Sequence, residues 1–210
     1  IPRGLPPIHA TQAVNVVAGS DDGKLLVAVG REGEVIVERE GEPTRRFAAI
    51  PSVTDLTISR DSQFIVLTGG KSRTEVEVWD LGTSSRATHV SCPDGVTGAG
   101  IHNLDSSLLL VPCDDAIRQW NRKGWNVPDA PGSVVRLVGN SLNPIVAIAF
   151  DAEGGHLAVA GEQATGVEDF VNVHEVSTGK VVRTYRIGTT ADVNMIRFLA
   201  EGGIAAADTS

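Results

Sequence analysis

The sequence predicts an all-β fold built from repeated units of short antiparallel strands. Residues 53–81 contain three short β-forming runs separated by polar turns, and variants of this stretch recur along the chain. The 23 glycines and 10 prolines among 210 residues supply the many turns that such a chain needs. Short strands that alternate with turns at a regular spacing indicate a repeat architecture rather than a mixed α/β domain.

The first strand of each unit is recognised by spaced apolar residues followed by a turn of Asp, Ser or Gly. In the clearest example, Val53, Leu56 and Ile58 precede the turn at 59–62. Similar patterns begin near residues 14, 96, 145 and 193. The turn positions 23, 62, 106, 154 and 202 are 39, 44, 48 and 48 residues apart. A period of about 40–50 residues with several strands in each unit is typical of propeller blades.

The third strand of each unit ends in a recurring pattern, most clearly in Arg73–Asp80 with its final Trp79-Asp80. The other copies show the same alternation of a strand between neighbours, and they lie at 32–39, 114–121 and 168–175. Segments that read Asp-x-x-Val-x-Val-Trp-Asp are the signature of the WD-repeat β-propeller family, which this chain resembles. Trp120 matches the tryptophan of that signature, whereas Glu38 and His174 replace it.

The resemblance implies four-stranded antiparallel blades over residues 14–210, about four and a half of them, preceded by a linker or approach strand at 1–13. Because propellers have four to eight blades, and about seven is common in this family, we expect the chain to form part of a larger ring. The family also implies a hydrogen-bonded set of Trp, Ser or Thr, His and Asp in each blade. The set is incomplete in every blade: blade 2 offers Thr68 and Trp79 without the Asp, and blade 3 offers Asp114 and Trp120 without the Ser or Thr. Asp80 and His174 are further structural positions of the repeat.

Charge and composition exclude several classes of function. The formal net charge of −8 argues against generic nucleic-acid binding, which depends on basic surface. No apolar run approaches the roughly 18–20 residues that a membrane helix needs. Cys92 and Cys113 are too few for a disulfide framework and have no metal-like spacing, so we expect a reducing, cytoplasmic environment. No signal peptide is visible, although the sequence begins at Ile1 rather than Met.

The motifs that could carry catalysis have simpler interpretations. Residues 19–24 superficially match a phosphate-binding loop but lead into a strand, whereas such a loop needs a helix N-terminus. The pairs Asp21-Asp22 and Asp114-Asp115 fall in turns, where carboxylates bond the nearby backbone. The five histidines lack metal-pair spacing, and no Gly-x-Ser-x-Gly motif is present. We therefore expect no catalytic residues, no metal and no cofactor.

Two insertions mark a candidate partner site. The connection 128–144 between the third and fourth blades is unusually long, and 161–169 lengthens the loop between the second and third strands of the next blade. In a four-stranded blade both connections open onto the same face, and long loops in repeat arrays tend to be functional. The candidate partner-binding residues are Asn140, Glu162, Gln163 and Trp125. Alternatively, 133–138 is the outer strand of blade 3 and Trp125 belongs to the core.

The resemblance implies a non-catalytic scaffold that presents its loops to partner proteins, within a multi-subunit complex. One alternative is a hydrolase- or dehydrogenase-type propeller enzyme with a site in the central channel. Another is an effector-sensing domain of a larger signalling protein. A central cluster of carboxylates and histidines at the ends of the first strands would favour the enzyme, whereas a loop face without such a cluster would favour the scaffold.

Overall fold

The computed structural model describes residues 5, 7–70, 72, 74–92, 100–101, 108–113, 116–121, 133–135, 137, 142–151, 153–163, 169–188, 193–199 and 203–208. These residues form four four-stranded antiparallel sheets and one two-stranded sheet, each with its strands in chain order. We number the sheets blades 1 to 5. No helix in this part of the chain has the length and apolar character needed to cross a bilayer.

The strands of each blade follow one another directly along the chain. Blade 1 contains β1 (Val14–Gly19), β2 (Leu25–Gly30), β3 (Glu34–Arg39) and β4 (Arg45–Ala48). Blade 2 contains β5 (Asp55–Ile58), β6 (Phe64–Gly69), β7 (Glu75–Asp80) and β8 (Ser85–Ser91). Blade 3 contains β9 (Gly100–Ile101), β10 (Leu108–Cys113), β11 (Ala116–Asn121) and β12 (Ser133–Val135).

Blade 4 contains β13 (Leu142–Phe150), β14 (His156–Gln163), β15 (Asp169–Glu175) and β16 (Val181–Gly188), and blade 5 contains β17 (Val193–Phe198) and β18 (Ile204–Asp208). The first strands of successive blades contact one another, from β1 to β5, β9, β13 and β17. Connections between first and second strands, and between third and fourth strands, therefore lie on one face of the array. We call this the AB face and the other the BC face.

Residues 7–13, which precede β1, form no strand and lie against the BC end of blade 1. The backbone N–H of Glu32 donates to Gln12 Oε1 (2.8 Å), and Thr11 Oγ1 donates to Glu34 Oε2 (2.6 Å). A Cβ at Gly30 would meet the Gln12 side chain at 2.7 Å, so the missing side chain at Gly30 allows this close approach. The approach segment thus contacts the first blade.

Apolar side chains on both faces of the sheets form the core between blades. Val27 and Val37 of blade 1 share one buried cluster with Ile65 and Leu67 of blade 2. The opposite face of blade 2 forms a second cluster with blade 3, in which Val78 is a member. Every residue of β6 is buried as a result. This explains why the second strands read as continuous apolar runs rather than alternating ones.

The four positions aligned from the third-strand pattern occupy equivalent places. Glu38, Trp79, Trp120 and His174 pair respectively with Leu26, Ile65, Leu109 and Leu157 of the neighbouring second strands. All four blades thus share one register.

In blade 2 the hydrogen bonds differ from those that the resemblance suggests. The Trp79 indole N–H donates to Glu77 (2.8 Å), and Thr68 Oγ1 is buried with no hydrogen-bond partner in the described part of the chain. Asp80 Oδ1 accepts hydrogen bonds from the N–H groups of Gly82 (2.8 Å) and Thr83 (3.0 Å). Asp114 lies outside the described residues.

A buried carboxylate joins blades 1 and 2. Glu77 is 2% exposed, and its Oε2 accepts hydrogen bonds from the Trp79 indole N–H and from the backbone N–H of Ile50 (3.1 Å). Its Oε1 accepts from Arg86 (2.7 Å), whose side chain is half-exposed. The Trp79 ring stacks on Phe47 with the ring centroids 4.6 Å apart. A buried charge is tolerated here because each oxygen is paired.

A disulfide connects blades 2 and 3. Cys92, which follows β8, bonds to Cys113 at the end of β10, with their Cα atoms 5.6 Å apart and their positions separated by 21 in sequence. Both cysteines belong to the apolar cluster between these blades. The two cysteines, which are too few for a disulfide framework, thus form a single bond. Sequence spacing could not reveal the pair, because only the packing of blade 2 on blade 3 brings the two cysteines together.

Replacing Glu77 with Ala should destabilise the fold by about 3 kcal/mol, because the buried N–H of Ile50 and the part-buried indole N–H of Trp79 lose their acceptor and Arg86 loses its ion-pair partner. Urea unfolding followed by tryptophan fluorescence measures this change. The matched control is Glu75→Ala in the same strand, whose partly exposed carboxylate lies 3.9 Å from His89 and should cost less than about 1 kcal/mol. Equal losses for both variants would contradict the role given to Glu77.

Reducing the disulfide should lower the free energy of unfolding by about 3 kcal/mol, because the unfolded chain regains the freedom of a closed loop of this length. Urea titrations with and without dithiothreitol measure the difference. The Cys92→Ala/Cys113→Ala double variant should be insensitive to dithiothreitol. An unchanged transition midpoint in the wild-type chain on complete reduction would show that the bond contributes nothing.

Candidate functional site

A cavity of about 880 Å³ lies on the AB face, where the first strands of blades 1, 2, 4 and 5 end. Ser20, Arg60, Asp151 and Arg197 line it, one from each of these blades. The equivalent connection in blade 3 lies outside the described residues. We call this site the AB cavity. Its walls come from repeated turns, so the repeat itself positions the site.

Each described turn at this cavity has the same backbone geometry. The N–H groups of Gly23, Ser62 and Gly154 donate to the carbonyls of the residues three positions earlier, at 3.0, 2.8 and 3.1 Å respectively. All three have positive φ, at 69°, 55° and 69°. Glycine adopts this conformation at no steric cost, whereas Ser62 does so against its preference.

Serine and aspartate side chains hold two of these turns. Ser59 Oγ donates to Asp61 Oδ1 (2.6 Å) and accepts from the N–H of Phe64 (2.9 Å). Ser20 Oγ makes the same bonds to Asp22 (2.6 Å) and the N–H of Leu25 (3.0 Å). The Ser20 hydroxyl, followed by the Lys24 backbone N–H, lowers the pKa of Asp22 below its ordinary value. These hydroxyls and carboxylates are therefore engaged in turn formation.

In blade 4 an aspartate takes the place of the serine. Asp151 Oδ1 accepts from the backbone N–H of His156 (3.1 Å), while Oδ2 pairs with His156 Nδ1 (2.7 Å). The His156 side chain is 47% exposed. Within the described residues, no group of three or more His, Cys, Asp or Glu side chains could hold a metal ion.

The remaining lining of the AB cavity mixes cationic, aromatic and apolar side chains. The Arg183 guanidinium donates to the Tyr185 hydroxyl (2.9 Å) and lies 5.8 Å from the centre of its ring. That hydrogen bond raises the pKa of Arg183 above its ordinary value. Val182 and Leu199 also line the cavity and are 54% and 52% exposed, which is high for large apolar side chains. The surface can therefore form ionic, aromatic and apolar contacts.

Of the residues singled out from the sequence as partner-binding, Glu162 and Gln163 are among those that the structure describes. Trp125 and Asn140 lie outside the described residues. Glu162 and Gln163, expected at a loop tip, are the last residues of β14, and their backbones pair with Asp169 and Leu142. The loop-tip expectation is wrong because β14 continues for eight residues, so the antiparallel pairing extends to the end of 161–163. This end of β14 belongs to the BC face, opposite the AB cavity.

Residues 133–138 have two interpretations from the sequence, part of a partner-binding insertion or the outer strand of blade 3. Ser133–Val135 indeed form β12, the outer strand of blade 3, with Val135 opposite Ile117. The sequence predicts the turns at the AB cavity as structural but gives no indication that Arg183 and Tyr185 belong to the same site. No local signal marks these two residues, because they belong to a fourth strand that reaches the cavity only through blade packing.

No family model and no curated protein matches this sequence. Two solved structures are similar in fold. The β-propeller domain of Cps50 (Swd1) from Myceliophteria thermophila matches with a TM-score of 0.73 at 17% identity, over 99% of this chain and 67% of that chain. Kuenenia stuttgartiensis hydrazine synthase matches with a TM-score of 0.71 at 15% identity, over 95% of this chain and 57% of that chain. The prediction of an all-β propeller built from four-stranded antiparallel blades is confirmed.

Replacing Ser59 with Ala should destabilise the chain by about 2 kcal/mol, because the buried N–H of Phe64 loses its side-chain acceptor and Asp61 loses a donor. Chemical denaturation measures this loss. Ser20→Ala removes the same two bonds from a half-buried turn, where water can replace them, and should cost less. If Ser20→Ala lowers the free energy of unfolding by as much as Ser59→Ala, or by more, burial does not determine how much the serine hydroxyl contributes to stability.

Proposed function

We propose that this chain is a non-catalytic protein-interaction module of the WD-repeat type, which presents its turns and loops to partner proteins within a multi-subunit complex. The observation that carries this proposal is the AB cavity, in which the hydrogen-bonded turns of blades 1, 2 and 4 lie beside exposed arginine and apolar side chains and a half-buried tyrosine. Turns held by their own side chains offer a surface that loses little conformational freedom when a partner binds.

The composition of the cavity fits a polypeptide partner. Arginine and tyrosine are enriched among the residues that contribute most binding free energy at protein interfaces. Arg60, Arg183 and Arg197 are accompanied by Asp21 and Glu153, so the lining carries both signs of charge. The exposed apolar side chains of Val182 and Leu199 add surface that a partner could bury. A partner with mixed charge and apolar side chains is the best complement.

The open edge of blade 5 supports a larger ring. In the described residues β18 pairs only with β17, and its other edge has no strand beside it. An unpaired edge is a template for another strand. The chain spans 67% and 57% of the length of the two similar structures. We propose that further strands pair with β18 and that further blades, or another segment, complete the ring.

One observation favours the enzyme alternative. Asp151 and His156 form a close pair at the AB cavity, in the arrangement of a general base and the carboxylate that orients it. Two features weigh against this function. Asp151 is also bonded to the backbone of its own turn, and the hydroxyls of Ser20 and Ser59 donate to turn carboxylates rather than to a histidine. The pair is better explained as the blade 4 equivalent of the Ser–Asp hydrogen bonds that hold the turns of blades 1 and 2.

The proposal is tested by partner capture with variants on opposite faces. We expect Arg197→Ala/Leu199→Ser to reduce recovery of specific partners about tenfold in affinity purification with quantitative mass spectrometry, because both exposed side chains line the AB cavity. The matched control, Arg31→Ala/Glu32→Ala, also removes one cation and one further exposed side chain, but from the BC turn of blade 1. It should leave partner recovery unchanged.

A third variant distinguishes the two faces as partner sites. Glu162→Ala/Gln163→Ala tests the face predicted from the sequence insertions. Loss of partners in this variant alone would move the site to the BC face and contradict the assignment to the AB cavity. If all variants capture the same partners as the wild type, neither face is the interaction surface.

A further inference from the structure

The second strand of blade 5, β18, is exposed, whereas the second strands of the other blades are largely buried. Residues 205–207 are exposed alanines, but every residue of β6 in blade 2 is buried. Within the described residues β18 pairs only with β17, so its outer edge has no third strand of the kind that the complete blades have. The N–H and C=O groups along such an edge can pair with another strand. This edge is therefore a place where a strand can be added.

The interface between blades 1 and 2 shows how a third strand is held. The ring of Trp79, in β7, stacks on Phe47 of the preceding outer strand β4, with the ring centroids 4.6 Å apart. Two positions earlier in β4, the Arg45 guanidinium donates to the carbonyl oxygens of Leu81 and Gly82, the latter at 3.3 Å. These carbonyls follow β7 directly. An aromatic ring and an arginine of one blade thus hold the third strand of the next.

Blade 4 carries the same pair of side chains in its outer strand β16. Tyr185 and Phe47 each lie opposite the third-strand residue three positions before the shared tryptophan position. Arg183 and Arg45 each lie opposite the residue one position before it. The outer strands of blades 2 and 3 have neither an aromatic ring nor an arginine at these positions, which hold Val90 and Thr88, and Val135 and Ser133.

The pair on blade 4 is accessible and lies beside the open edge. Arg183 is exposed and Tyr185 is half-buried. The Arg183 guanidinium donates within its own strand, to the Tyr185 hydroxyl, whereas Arg45 reaches the next blade. Tyr185 packs in the same apolar cluster as Ile204 of β18. An added strand at this edge therefore lies within reach of both side chains.

We propose that β18 pairs with a third strand whose aromatic side chain, opposite Ile204, stacks on Tyr185. Ile204 holds the position of Ile65, because each lies opposite the last residue of the first strand in its blade, and Ile65 is the residue opposite Trp79. The turn after the added strand accepts hydrogen bonds from Arg183 through its backbone carbonyl oxygens. This inference rests on the proposal above that further strands pair with β18, and it adds the chemistry of the first of them.

The occupant is a further strand of the repeat rather than a second copy of this chain. Both contacts that blade 4 offers match those that hold a repeat strand in blade 2. A second copy would bring its own β18 to this edge, and residues 204–208 contain no aromatic side chain. The contact uses Arg183 and Tyr185 alone among the polar residues of the AB cavity, so Arg60 and Arg197 keep the role proposed above.

A synthetic peptide with the sequence of residues 72–91, which contains β7 and β8, is the probe. We expect it to bind the wild-type chain, with the dissociation constant measured by fluorescence anisotropy of the labelled peptide. The peptide with Trp79→Ala should bind about tenfold more weakly, because it cannot stack on Tyr185. This substitution leaves the folded chain unaltered, so a folding defect cannot explain the loss.

Variants of the chain test the other side of the contact. Arg183→Ala should weaken binding of the unaltered peptide about tenfold, because the carbonyl oxygens lose a charged donor. The matched control is Arg186→Ala, which removes another exposed arginine of β16 from the opposite face of the strand and should bind like the wild type. Tyr185→Ala should remove most of the difference between the two peptides.

Amide hydrogen exchange locates the bound peptide. Amides of residues 204–208 should exchange at least tenfold more slowly when the peptide is present, because the added strand pairs with them. Absence of peptide binding, equal binding of both peptides, or unchanged exchange in β18 would each overturn the proposal. A dimer of the wild-type chain that Arg183→Ala dissociates would make a second copy the occupant and would also overturn it.

The peptide assay contains no partner protein, so its result is separate from partner capture. If the peptide fails to bind while Arg197→Ala/Leu199→Ser still loses partners, the inference about β18 fails and the proposed function stands. If the peptide binds as expected and partner capture is unaffected by every variant, the reverse holds.

Discussion

Burial of both faces of each four-stranded sheet is the constraint on which the rest of this structure depends. No blade has an apolar interior of its own, and each gains one only by packing its faces against its neighbours. The clusters between successive blades therefore combine residues that are far apart in sequence. The disulfide between Cys92 and Cys113 strengthens one of these interfaces covalently. Stability is consequently distributed over the interfaces rather than concentrated in a single core.

This constraint governs which polar groups the interfaces tolerate. Glu77 is buried with both carboxylate oxygens paired, and it links the backbone of Ile50 to the indole of Trp79. Glu38, at the tryptophan position of blade 1, accepts from Thr44 through one oxygen, while its other oxygen is buried without a partner in the described residues. The tryptophan position thus carries three residue types, with Glu38 in blade 1, Trp79 and Trp120 in blades 2 and 3, and His174 in blade 4. The family pattern gives the position of this residue in the third strand, but the residue type and its hydrogen bonds vary between blades.

The two cavities arise from different properties of the repeat. The AB cavity is formed where the repeat is most regular, because similar turns bring Ser20, Ser59 and Asp151 to the ends of first strands. A smaller cavity, lined by Leu110 and Val135 of blade 3 and by Leu157 and His174 of blade 4, lies where the repeat departs from its pattern, because Val135 and His174 stand where Phe47 and Trp79 stand in blades 1 and 2. The regular turns provide a surface that their own hydrogen bonds hold in place, whereas the smaller side chains between blades 3 and 4 leave room within that interface.

The sequence by itself determined the all-β class, the repeat and the register position shared by Trp79, Trp120 and His174, because these depend on local alternation and turn chemistry. It also indicated that the acidic turns are structural, since Ser and Asp bond their own backbone. Only the tertiary structure decided the pairing of the cysteines, the course of 161–163 as strand, and the contribution of Arg183 and Tyr185 to a cavity. The cysteine pairing and the cavity depend on how far one blade lies from the next, and that distance is set by the volumes of side chains on two separate sheets. The course of 161–163 depends instead on pairing with β13 and β15 within blade 4.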